Sequence, residues 1–299
     1  MTSRWFKDCA AVAVIAGLLS GCADDVQLPH LEHHTATTLG LHGYSGAMQP
    51  IESEIHLRYA TIEAVEVRQQ VVTDSWARAF GAIAQEHRIR FTVGIESGSG
   101  TATWTVSLLE YGGPGGDVKL PVPFMNLTVS TDPRGHILYQ SAEFPVHRTA
   151  GRRAPQPGDS TYENTVSVLK RVIKTFADGP IRNGSTIYAT SFADLIHADY
   201  RGMENDPSYV VQKPSLRAVG LTSFQRRPCL VGELSGSITG TGRFGTTQVE
   251  IRGYELIDLA SGLVVDAFSR LLEHTSDAHG SSKKVDTFQR TDVSLRGSN

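Results

Sequence analysis

Residues 89–108 read IRFTVGIESGSGTATWTVSL, and this stretch decides the class of fold. Ile89, Phe91, Val93 and Ile95 alternate with Arg90, Thr92 and Gly94, the two-residue period of a strand with one apolar face. Ser97-Gly98-Ser99-Gly100 then turns the chain. Trp104, Val106 and Leu108 alternate on the way back, which predicts a β-hairpin with one side turned to a core. The pattern recurs twice. Leu127 and Val129 lead into Asp132-Pro133-Arg134-Gly135, with Ile137 and Tyr139 beyond it. Leu256 and Leu259 surround a turn from Asp258 to Gly262, followed by Leu263, Val264 and Val265. In both, Asp caps the turn and Gly supplies a positive φ.

Residues 160–177 are expected to be a helix. Ser160 with Glu163 makes a capping box, and Gly179-Pro180 gives a stop. Tyr162, Val166, Leu169, Ile173 and Phe176 fall on one face, and Lys170, Arg171 and Lys174 suit the C-terminal dipole. A second helix is expected over 75–87, with Trp76, Phe80, Ile83 and Ala84 on a face. The Pro-, Gly- and Arg-rich span 146–158 reads as a connection. It divides an N-terminal β-rich lobe, 51–150, from a C-terminal lobe, 151–299, that holds helix 160–177 and β-hairpins. One Asp-turn hairpin in each half is compatible with two related lobes. The expected fold is α+β, mainly antiparallel β, with curved sheets packed against one or two helices.

The N-terminus states an address. Arg4 and Lys7 precede an apolar run over 10–19, shorter than the roughly 20 residues of a spanning helix and suited to a signal sequence. Leu19-Ser20-Gly21-Cys22 follows, and it resembles the lipobox of bacterial lipoproteins. That resemblance implies a signal peptide over 1–21, cleavage before Cys22 and acylation of the new N-terminus. Each buried methylene then stabilises membrane attachment by about 0.8 kcal/mol. Ala23 in the next position favours the outer membrane under enteric-type sorting. Residues 22–50 hold few large apolar side chains and no periodicity, and read as the lipidated Cys and a flexible tether.

Composition narrows the function. With 28 Lys+Arg against 31 Asp+Glu, a formal charge of −3 and 40% hydrophobic residues, the chain is neither disordered nor a basic nucleic-acid binder. Three cysteines cannot supply a disulfide framework. Several motif matches have a plainer explanation. Residues 240–245 spell GxGxxG, but the following Val249 and Ile251 alternate as a strand, where a dinucleotide site needs a helix. Ser167-Val168-Leu169-Lys170 is an SxxK match on the solvent side of the expected helix, without SxN or KTG downstream. His30, His33, His34 and His42 could gather a metal adventitiously, yet lie in the tether without a rigid surround. Cys229 reads as a small buried residue; a Cys–His pair with His136, His197 or His274 has no local support.

No cofactor and no metal is called for. The sequence reads as a non-enzymatic envelope lipoprotein, similar in general appearance to lipoproteins that carry or hold apolar molecules. The expected partners are the membrane, through the lipid on Cys22, and an apolar small molecule or an envelope protein. Phe91, Trp104, Val106, Leu169 and Ile173 are the candidate ligand-binding residues, between sheet and helix. The alternatives are a structural or assembly subunit of an envelope complex, and a hydrolase whose site the sequence does not reveal.

Overall fold

The structure, a computed structural model, describes residues 44, 46–77, 81–113, 116–118, 125–144, 166, 172–195, 200–243, 245–276 and 282–294. The chain runs through β1 (Ile62–Ala77), β2 (Gly81–Ser97), β3 (Ala102–Gly113), β4 (Gly116–Val118), β5 (Met125–Thr131), β6 (Ile137–Glu143) and β7 (Thr186–Ala189). Two short helices follow, α1 (Phe192–Leu195) and α2 (Tyr200–Glu204). It ends with β8 (Tyr209–Phe224), β9 (Arg227–Gly242), β10 (Gly245–Asp258), β11 (Val264–Ser276) and β12 (Ser282–Ser294). All the described strands join one 12-stranded antiparallel sheet, ordered β6-β5-β3-β2-β1-β12-β11-β10-β9-β8-β7, with β4 beside β3. The sheet is curved and unclosed, with β6 and β7 as its ends.

The three hairpins read from sequence are β2–β3, β5–β6 and β10–β11. The GxGxxG run is the β9–β10 turn, with Gly242 paired to Gly245, whose φ is +92°. The expected helix over 75–87 is overturned. Ser75 pairs with Ile83 and Trp76 with Ala82, so these residues are the end of β1 and the start of β2. On its other side Trp76 pairs with Lys284 of β12. Ladder bonds to a segment some 200 residues away outweigh a local apolar spacing that either structure can display. The helix expected over 160–177 is corrected at its end. Val166 is helical and buried, but 172–177 is not helix. There Phe176 N–H bonds the Arg134 carbonyl and Ala177 N–H the Ile187 carbonyl, partners no helix ladder could offer. The remainder of that segment, Ser167 and Leu169 included, lies outside the described residues.

The two halves meet where β1 pairs with β12, so the residues that open and close the sheet lie at its middle. Cross-strand register carries one face across this seam: Ile89, Gln69, Thr291, Ala267, Glu255, Gly232 and Ala218 are successive neighbours. This concave face carries most of the core, from Phe91, Trp104 and Leu127 to Leu216, Leu234 and Ile251. Glycine lets the sheet fold on itself. On β9 the inward series is Gly232, Leu234, Gly236, Ile238, Gly240, and β8 leans onto the glycines. A Cβ on Gly236 would lie 2.8 Å from the Cα of Pro214, and one on Gly232 2.5 Å from Leu216 Cγ.

The opposite face is ionic over the central strands, where Arg90 pairs with Glu66 and Glu110, and Arg270 with Asp286. Residues at the end of the expected tether lie against the sheet. Gln49 and Leu221 form a β-bridge, Tyr44 shares a hydrogen bond with Thr222, and its ring meets Tyr254 edge-on at 5.4 Å. Residues 22–43 of that stretch lie outside the described residues.

Candidate functional site

The two Asp-turns hold one short segment between them. Tyr59 N–H bonds the Pro133 carbonyl of one turn, and Ala60 N–H the Ser261 carbonyl of the other. Gly135 and Gly262 have φ of +98° and +74°, and a Cβ on either would crowd the Tyr59 ring. Asp132 makes the first turn by accepting the N–H groups of Arg134 and His136 at 2.9 Å each. Asp258 and Ser261 make the second, with the serine hydroxyl donating at 2.6 Å.

Tyr59 thereby enters the concave interior. Its ring meets Trp104 edge-on at 4.4 Å and stacks on Phe176 at 4.9 Å. Its hydroxyl donates to the Lys174 carbonyl and accepts from the Lys174 N–H, both at 2.8 Å. Burial pushes this phenol far above its ordinary value. Residues 172–180 form an irregular strap, fixed to the β5–β6 turn and to β7, with Phe176 buried beneath it.

The expected binding residues Phe91, Trp104 and Val106 come together on this face, each without exposed surface. Ile95 faces Trp104, Val93 faces Val106 and Phe91 faces Leu108 across the β2–β3 ladder. Trp104 donates its indole N–H to Thr131 at 3.2 Å, so its polar edge is satisfied inside. Ile173 packs half-buried against the same core, from the strap and not from a helix. Leu169 lies outside the described residues.

The sequence reading missed a charged group in this interior. Glu255, 6% exposed, points inward from β10. Its Oε1 accepts the Tyr188 hydroxyl at 2.8 Å and the Lys174 ammonium at 3.1 Å, and the ammonium sits 5.0 Å from the Tyr188 ring centroid. Glu255 Oε2 has no hydrogen-bond partner. Burial, then the Glu255 charge, holds the Tyr188 phenol well above its ordinary value. A signal existed: the inward series Val249, Ile251, Gly253, Glu255, Ile257 contains one charge. Tyr59 and Lys174 had no such signal, since neither belongs to a periodic strand. Polar pairs also mark the central strands of the concave face, Gln69 with Thr291 and Thr73 with Thr287.

Cys229 is free and buried, and burial first, then the Asp258 charge, pushes its thiol up to about 11. Such a thiol is a packing group and not a nucleophile. Among the described residues no cluster of His, Cys, Asp or Glu could hold a metal, and no helix is long and apolar enough to cross a membrane. The His30–His42 group lies outside the described residues. On the sheet's open edge, Ile137, Leu138 and Tyr139 of β6 are 42%, 61% and 62% exposed.

No family model matches the chain, and no curated protein matches it in sequence. Among solved structures, a LolA superfamily protein from Nitrosomonas europaea is similar at 12% identity, over 79% of this chain and 88% of its own. Its TM-score of 0.15 is too low to carry an argument.

Proposed function

We propose that the protein is a bacterial envelope lipoprotein, anchored through Cys22 in the outer membrane and facing the periplasm, whose body holds an apolar molecule without performing catalysis. The observation that carries this reading is the apolar concave face spread over both halves of a sheet that does not close. A sheet of this width can bury its inner face by closing into a barrel. Here, among the described residues, irregular segments with α1 and α2 lie against it instead, and such cover can part without breaking strand pairing. Ligand sites are mostly apolar with a few placed polar groups, which the concave face also offers.

Titration of the delipidated body with Nile red tests the reading. Saturable fluorescence, displaced by a long-chain alcohol, is expected; absence of saturable binding overturns the carrier role. Labelled palmitate tests the address. Cys22→Ala should abolish incorporation and membrane fractionation, and an acylated Cys22→Ala protein would refute the anchor.

A second reading has its own support. The exposed apolar start of β6 lies on a sheet edge that no described strand pairs, the kind of surface on which a partner's strand can add. It makes the protein an assembly subunit, and it leads if Nile red does not bind.

A further inference from the structure

Glu255 is the one charged residue of the inward register of β10, whose other members are Gly245, Thr247, Val249, Ile251, Gly253 and Ile257. A buried ion pair is a poor device for stability, because desolvation offsets its attraction and apolar replacements are often neutral or better. The surroundings of the pair are those of a recognition site. A carboxylate beside an aromatic face is the chemistry that selects an ammonium group. The ammonium found there belongs to the chain itself, on the alkyl stem of Lys174, and comes from the irregular strap and not from the sheet. The Lys174 side chain is 14% exposed against 8% for Glu255, so the lysine lies nearer to water than its partner. A change of rotamer can withdraw it while Tyr59 keeps hold of its main chain. Glu255 Oε2 remains a spare acceptor, and an ammonium has three N–H groups to offer.

We propose that Glu255 and Tyr188 form a cradle for the ammonium group of an amphiphile, and that Lys174 occupies it as a self-ligand in this state. The proposal rests on the reading of the concave face as an apolar-ligand site, and it names the head group. An amine fits. A carboxylate or phosphate would face the Glu255 charge.

Chemical rescue tests the cradle apart from the carrier role. Lys174→Ala removes the equivalent of n-propylammonium, and this variant should melt below wild type. Added n-propylammonium should restore its melting temperature, n-propanol and propionate should not, and wild type should not respond. Decylamine should then displace Nile red from Lys174→Ala about tenfold more tightly than decanol does. The preference should vanish in Lys174→Ala/Glu255→Gln. If Lys174→Ala does not fold, Lys174→Met keeps the stem and is tested with ammonium and the same decyl pair. Rescue that fails, or that persists in the double variant, overturns the cradle whatever decanol does. Rescue without any decyl binding leaves an amine site and overturns the carrier reading.

Discussion

Tyr59 makes contacts at one residue that would otherwise need several. It accepts and donates at the strap through one hydroxyl, packs on Trp104 and Phe176, and lies between two turns whose glycines leave it space. Tyr59→Phe leaves the Lys174 N–H and carbonyl without that partner, an expected loss of about 1–3 kcal/mol in urea unfolding. Tyr59→Ala should lose more, because it also opens a cavity. Asp132 gives a pH dependence. Burial raises its pKa, but the His136 side chain and the N–H groups of His136 and Arg134 outweigh burial and hold it below 3.8. A carboxyl lowered on folding contributes stability fully above its unfolded value and loses it as pH falls through the folded value. The stability gap between wild type and Asp132→Asn should therefore be present at neutral pH and close below pH 3.8, measured by thermal unfolding across pH.

At the scale of elements, β9 shows how a strand gets its bend. Gly232, Gly236 and Gly240 supply no side chains, and β8 packs over them through two register shifts, at Gln212/Ser215 and Ala218/Gly220. Gly236→Val would drive a side chain against the Pro214 backbone, with an expected cost of about 3 kcal/mol. Gly98→Ala meets nothing within 4 Å and should leave the melting temperature unchanged. The β8–β9 turn holds the opposite case. Gln225 and Arg226 have φ of +49° and +64°, as a type I′ hairpin requires, in residues that disfavour it. Gln225→Asn with Arg226→Gly should raise stability by about 1 kcal/mol in the same assay.

In the whole molecule, the β1–β12 pairing makes two meanders one sheet. A chain ending before Ser282 would leave β1 and β11 facing one another without their shared neighbour. It should lose the single cooperative transition expected of the full body, and two separate transitions or none should appear in calorimetry. Residues 46–50, expected in the tether, belong to the body together with 51–61: a chain begun at 44 should keep its melting temperature far better than one begun at 62.

Local periodicity by itself determined the hairpins, the Asp-turns, the glycine-rich β9–β10 turn and the antiparallel class, because alternation and turn chemistry act over a few residues. It also singled out Phe91, Trp104 and Val106 as sharing a face, since alternate side chains on paired strands must do so. Local spacing failed at 75–87, where strand pairing with β2 and β12 decides the backbone, and at 172–177, where hydrogen bonds to Arg134 and Ile187 do. Tyr59, Lys174 and Tyr188 come to Glu255 from separate elements of the chain. No spacing rule spans them, because their distances are set by the curvature of the sheet. What only the tertiary structure decided is that the apolar faces of two meanders are one surface, and that the buried carboxylate of Glu255 lies within it. The reason is the pairing of β1 with β12, an agreement between the two ends of the body that neither end's sequence expresses alone.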